Sequence, residues 1–376
     1  MKFVVSSTEL LSRLQTVSRV ISSKSTIPAL LNFLFEIKGD TLTITASDLE
    51  TTMRARLQLN NVDGEGKITV EAKRLTDILK EFPEQPLILE ANLETMAVDI
   101  ISDNGKFSVM GQNGDEYPNL QGLDDANTTT MTMPGSALLK GITKTLFATA
   151  DDDLRPVMNG ISIITNNSSI TFAASDAHKL VRFRNNTISS PKEASFILPK
   201  KPADTLKNIL PKETGDITMK FDDKNAHFTL SNYEMICRLV EGQYPNYEAI
   251  IPNNNPNRLT INRLDFLTTL KRVSVFASQA SNLVKLELQP DQVVVSAQDI
   301  DFSISAYEKV SAQYDGESMN IGFKSAFLIQ ILTAITSENI VLQMSDPSRS
   351  GIIVPLERES EEEDELMLLM PMMIND

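Results

Sequence analysis

Few side chains in this sequence have a catalyst's chemistry, and their spacing gives them little to do together. The 376 residues include two histidines, His178 and His227, and one cysteine, Cys237. None falls at the spacing of a His-Glu-x-x-His zinc site or a Cys-x-x-Cys pair. A single cysteine excludes an intrachain disulfide and suits a reducing, cytoplasmic setting. Within the strand-like run Met-Ile-Cys-Arg-Leu-Val, Cys237 reads as a small buried apolar residue rather than a nucleophile. Gly64-Glu65-Gly66-Lys67 lacks the spacing of a phosphate-binding loop, so a hairpin turn is expected there. Asp151-Asp152-Asp153 could ligate a divalent ion, and a metal-dependent nuclease built on it is the enzymatic alternative. A solvated loop after a helix is the simpler reading. The acidic run from Glu361 to Glu365 likewise reads as a solvated turn between the last two strands. No cofactor, no metal and no catalytic residue is expected.

Three other aspartates recur with a period. Ala46-Ser47-Asp48, Ala174-Ser175-Asp176 and Ala297-Gln298-Asp299 place them 128 and 123 positions apart. Each ends an alternating run: Leu42, Ile44, Ala46; then Ile170, Phe172, Ala174; then Val293, Val295, Ala297. An aspartate at a strand end characteristically accepts from turn amides, and that role is expected of all three. Tyr117-Pro118-Asn119 returns as Tyr244-Pro245-Asn246, 127 positions later. A repeat this long is a whole domain, not a solenoid unit.

The elements that position these residues keep the same step. Each repeat opens with a short strand and a helix. The three helices lie near Ser7–Ser23, Gly135–Ala150 and Asn262–Ser278, with Leu10, Leu14, Val17 and Ile21 forming the apolar face of the first. A second helix follows in each repeat, at Lys73–Glu81, Lys200–Leu210 and Phe323–Ser337. Alternating segments of strand length separate the helices. The fold class expected is α+β, three similar domains of two helices packed on antiparallel sheets. Turn-forming stretches place the boundaries at 1–127, 128–255 and 256–376. An apolar content of 41% suffices for several cores, and no run is long enough to span a membrane.

The formal net charge of −15 argues against a nucleic-acid partner on average. The average conceals a segregation. Taken as 7–24, 71–81, 135–150, 200–210, 262–279 and 323–337, the six helical windows carry 15 basic and 6 acidic side chains, a net +9, while the remaining chain carries −24. No Tyr or Trp lies in these windows, so phosphate contact without base stacking is the function they suit. Ordinary exposed faces of amphipathic helices are the competing explanation.

The Ser-Asp-Ala-His-Lys-Leu run at Ser175–Leu180, the Tyr-Pro-Asn-Tyr run at Tyr244–Tyr247, Arg155 with Asn159-Gly160, and the terminal Met370-Pro371-Met372 closely resemble the bacterial DNA polymerase III beta subunits, the sliding clamps. The resemblance spans essentially the whole chain. It implies a non-catalytic processivity factor: a head-to-tail homodimeric ring around duplex DNA, with helices facing the phosphates and strands facing out. By that resemblance Lys24, Lys73, Arg74, Lys140, Lys144, Lys200, Lys201, Lys271 and Lys324 would face DNA, and Phe107 and Val109 would meet Val275 and Phe276 of a second copy. It also implies a groove that takes linear peptides of the replicative polymerase, the clamp loader and repair proteins. Arg155, Ser175, Ala177, His178, Lys179, Leu180, Pro245, Ile250, Phe327, Ser350, Leu368, Met370, Pro371 and Met372 would line it. Adaptable methionines suit a surface with several ligands, although a terminal strand packed in a core would also explain them. Ala177 stands where many relatives have glycine, and Ala249 and Met373 where many have arginine.

Overall fold

Short strands running directly into helices set the frame. The computed structural model describes residues 1–118, 122–123, 128–190 and 192–374. Asn119, the expected boundary at residue 127, and the terminal Asn375 and Asp376 lie outside the described residues. Six α-helices form among the described residues: α1 (Ser7–Val17), α2 (Ala72–Lys80), α3 (Gly135–Thr145), α4 (Lys200–Ile209), α5 (Arg263–Val273) and α6 (Ser325–Ala334). They fall in the six expected windows, two per repeat. They are shorter than the apolar periodicity suggests because α1, α3 and α5 finish in 3-10 turns, at Ser18–Val20, Leu146–Ala148 and Ser274–Phe276. Side-chain oxygens cap two of them. Ser6 accepts from the Glu9 amide, and Asn262 accepts from the Leu264 and Asp265 amides.

Two compact units result, and they do not follow the repeats. One comprises Met1–Ser136 and Thr205–Leu239, the other Ala137–Asp204 and Val240–Asp376. The central repeat is therefore divided between them. In the first unit, strand Thr51–Gln58 pairs antiparallel with Tyr233–Arg238, joining strands of the first and central repeats into one nine-stranded sheet. Glu234 fixes that seam, 2.5 Å from Arg56 and 3.7 Å from Arg54. A five-stranded sheet completes this unit and ends on the strand Gly105–Met110. Leu10, Leu14 and Val17 of α1 and Leu75 and Leu79 of α2 are buried, and the two helices pack together.

In the second unit, strand Lys179–Asn185 pairs with Glu363–Leu369, which carries the chain's twelve-stranded sheet from the central to the last repeat. One face of that sheet packs on α5 and α6 through residues such as Phe266, Leu270, Leu328 and Ile331. The other face, at Ala173, Leu180 and Leu368, is covered by Tyr247 with Tyr244 and Ile251.

The recurring aspartates act alike. Asp48 Oδ1 accepts from the Glu50 and Thr51 amides, Asp176 Oδ1 from His178 and Lys179, and Asp299 Oδ1 from Asp301 and Phe302. The residue after the first two adopts left-handed backbone, Leu49 at φ 75° and Ala177 at φ 74°. That conformation is easiest for glycine, so the alanine at 177 holds this turn at a cost of about 1 kcal/mol. Two tyrosines, Tyr117 buried and Tyr244 half-buried, also correspond. The Ser175 amide donates to Tyr244 Oη at 2.8 Å, and the Ser47 backbone meets Tyr117 Oη in the first repeat. Burial pushes the Tyr117 phenol up to about 12 and that of Tyr244 still higher.

Candidate functional site

Several of the residues with a catalyst's chemistry have structural partners instead. Asp152 accepts from the Leu154 amide and from Arg155 Nε, both at 2.9 Å, and Asp151 faces the Lys200 ammonium at 3.7 Å. Cys237 is fully buried in its strand, and desolvation pushes its thiol up to about 12. Gly64 adopts φ 79° in the hairpin before Gly66–Glu71, and Glu65 Oε1 accepts from the Gly39 amide.

Several of the expected residues are held where the described chain ends. Two backbone bonds pin the terminal segment: the Met370 amide donates to His178 O at 2.9 Å, and the Met372 amide to Gly322 O at 2.8 Å. Met370 therefore follows Leu368 and Leu180 along one sheet face, while Met372 reaches the strand that leads into α6. Ser350 precedes Gly351, which pairs with Leu369. The Phe327 ring on α6 is stacked by His178 at 5.9 Å and overlaid by the Lys179 ammonium at 4.2 Å. Ser175 Oγ donates to Lys179 O, and the Ala177 amide donates to Ser175 Oγ, so the turn carrying His178 is held from within.

The loop from Tyr244 to Ile250 was named only in part by sequence reasoning. Pro245 and Ile250 are exposed on it. It is anchored by Tyr244, by the buried Tyr247, and by Glu248, whose carboxylate lies 3.2 Å from Arg182 and 3.5 Å from Arg184. The alternating basic residues of the strand Lys179–Asn185 were the signal for that anchor.

Burial differs among the expected residues. Leu180 and Leu368 pair across strands and are 0% and 2% exposed, packed with Tyr247. Ile250 at 55% and Met370 at 45% supply the open apolar surface. Arg155 pairs with Asp152, three residues before it.

Positive charge is also redistributed. Lys140 and Lys144 do not present free ammonium groups. Lys140 lies 2.6 Å from Glu359 and 2.5 Å from Glu363, and Lys144 is buried 2.9 Å from Glu365. The acidic run is thus no solvated turn throughout; Glu363 and Glu365 belong to the final strand and grip α3. Lys324 sits over Phe327 at 4.8 Å. Lys24, Lys73, Arg74, Lys200, Lys201 and Lys271 remain exposed, Lys73 beside Asp77 at 3.1 Å and Arg74 beside Glu71 at 3.2 Å.

The Glu365 carboxyl has a measurable signature. Burial raises it above its ordinary value of 4.5, outweighing the lowering by Lys144. A carboxyl raised on folding stabilises below its unfolded value and loses that contribution as pH climbs through its folded value. Glu365→Gln removes the titration. Its Tm relative to the parent should therefore rise as pH increases from below 4.5; a difference independent of pH in thermal melts would contradict this.

Two open sheet edges bear the residues expected to meet a second copy. Strand Gly105–Met110 pairs only with Ala97–Ser102 and exposes Phe107, which meets Phe82 edge-to-face at 5.4 Å; Val109 is half-buried. In the second unit, Ile304–Ser311 pairs on one side only, with Gln292–Asp299. The turn bearing Val275 and Phe276 packs on that strand. Ile300, Phe302 and Tyr307 project nearby, each more than 70% exposed. Sequence reasoning passed over these three, although apolar residues in so polar a run were a visible signal.

Comparison with known proteins accounts for this arrangement. Models of the N-terminal, central and C-terminal domains of the DNA polymerase III beta subunit match residues 1–121, 132–246 and 248–372. The beta sliding clamp of Pseudomonas putida is 26% identical over 376 residues, covering 99% of this chain and 100% of that protein. That of Synechocystis is 29% identical, covering 95% and 96%. The crystal structure of the DNA polymerase III beta subunit from Thermotoga maritima superposes with a TM-score of 0.90 at 26% identity, covering 100% of both chains. A sliding clamp from Bartonella birtlesii, solved bound to griselimycin, gives a TM-score of 0.92 at 25% identity, again covering 100% of both. With all three domain models matched in order along nearly its full length, the chain belongs to the DNA polymerase III beta subunit family, the bacterial beta sliding clamps.

Proposed function

We propose that the terminal segment Leu368–Met372, together with the His178 turn, Phe327 and the Pro245–Ile250 loop, is the groove through which this clamp holds its partners. Family membership makes the chain a processivity factor, a non-catalytic accessory subunit that tethers the polymerase and other proteins by peptide motifs. The observation carrying the residue assignment is the pinning of Met370 and Met372 between His178 O and Gly322 O, which holds both methionines against two structural neighbours. The ligands are extended peptides of the replicative polymerase, the clamp loader and repair proteins, with a glutamine and two large apolar side chains.

The assembly follows the same reading. Two copies join head to tail, the Phe107 edge of one against the Phe276 edge of the other, and close a ring around duplex DNA. Three domains per copy, with boundaries near 127 and 255, give the ring six similar parts. Among the described residues no helix is long and apolar enough to cross a membrane. With its one cysteine buried, the protein suits a reducing cytoplasm.

The DNA-facing set is Lys24, Lys73, Arg74, Lys200, Lys201 and Lys271. Neutralising Lys24, Lys73, Lys200 and Lys201 should weaken DNA binding without unfolding the protein. Every phosphate interaction removed in this way should flatten the log–log salt dependence by about 0.9, equally on duplexes of any sequence. Titrations at several salt concentrations would check this, and an unchanged slope would remove these lysines from the interface.

A further inference from the structure

Among the described residues, the rim of the proposed groove carries a cation, Lys324, that makes no ion pair. Lys179 is buried and lies 2.5 Å from Asp176, and Arg155 lies 2.9 Å from Asp152. Lys324 is half-exposed, and no ion pair involves it among the described residues. Its ammonium lies 4.8 Å from the centroid of the Phe327 ring, which the Lys179 ammonium also approaches, at 4.2 Å. An aromatic ring attracts a cation through its quadrupole but leaves the ammonium's net charge in place.

The setting sharpens the point. The terminal segment runs from the Leu368–Tyr247 cluster to Gly322, where Met372 forms a bridge two residues before Lys324. Lys324 therefore stands at one end of the groove and not the other. The whole chain carries a formal charge of −15, so its average field repels acidic ligands. An unneutralised cation at one end of an apolar groove gives one position where a carboxylate is favoured.

We propose that Lys324 is a specificity-determining residue: it selects partner peptides that place a carboxylate side chain beside Phe327 and Met372. This rests on the groove reading above and names the chemistry of its preferred ligand. An exposed ion pair of this kind changes affinity by about fivefold, and added salt reduces it.

The test uses four capped peptides with the same two large apolar side chains. One pair differs only by Gln or Glu at the first position, the other only by Gln or Glu at the last. Calorimetry on the full-length protein should show a Glu preference of about fivefold in one pair only. Lys324→Gln should reduce that ratio to about one, and Lys324→Arg should keep it. A similar Glu preference in both pairs would reveal a diffuse field and overturn the proposal. So would a preference that survives Lys324→Gln, or no preference in the parent. If the parent binds none of the four peptides, the groove reading fails and the proposal with it; binding without discrimination sinks the proposal alone.

Discussion

Phe276→Asp should leave the protein monomeric at low micromolar concentration. Val275 is 73% exposed and Phe276 38%, on a turn packed against a strand whose outer edge has no partner between Ile304 and Ser311 among the described residues. Ile300, Phe302 and Tyr307 enlarge the apolar surface there. Phe107 with Phe82 offers a matching apolar edge on the first domain. In the proposed head-to-tail dimer, an aspartate at position 276 would be buried opposite these rings with no cation assigned to it. Leaving a buried charge unpaired costs about 3–5 kcal/mol, which corresponds to roughly a hundredfold to several thousandfold in dissociation constant. Phe276 contributes little to its own domain's core, so the monomer should keep its Tm within a few degrees. Sedimentation equilibrium would decide: a variant as dimeric as the parent would place the interface elsewhere.

Periodicity in the sequence was enough to locate the six helices, because their apolar faces repeat at helical spacing and short strands lead into them. The repeated Asp48, Asp176 and Asp299 were legible for a similar reason, since a side chain that accepts from amides two and three residues on acts locally. Long-range partnerships were not legible. Lys140 and Lys144 look like an exposed basic stripe on α3, and only the fold brings Glu359, Glu363 and Glu365 to them across about 220 residues of chain. A count of charges by window cannot distinguish a lysine facing solvent from one neutralised by a distant strand.

The groove shows the same limit at the level of single side chains. The resemblance gathered its residues from separate stretches; His178 stacks on Phe327, the Met370 amide bonds His178 O, and the Met372 amide bonds Gly322 O. Which of them a ligand can touch depends on cross-strand pairing. Leu180 opposes Leu368 and disappears under Tyr247, while Met370, two residues on, stays open.

That difference separates two variants that resemblance alone would treat alike. Ile250→Ala with Met370→Ala removes exposed apolar surface, so it should spare folding and abolish peptide binding. Burying each such side chain against a ligand contributes about 1.5–3 kcal/mol before ordering costs. Losing both from a complex near −8 kcal/mol, the micromolar scale, should raise the dissociation constant by about a hundredfold or more. Leu180→Ala acts differently. Its side chain is fully buried, so truncation leaves a cavity and should cost about 2–5 kcal/mol of stability. Weakened binding by that variant would reflect a disturbed floor as much as a missing interaction with the peptide. Calorimetry with a clamp-binding peptide, paired with thermal melts of each variant, tells these apart. The exposed pair should lose affinity at constant Tm, and Leu180→Ala should lower Tm. Full affinity in the Ile250 and Met370 double variant would remove the terminal segment from the recognition site.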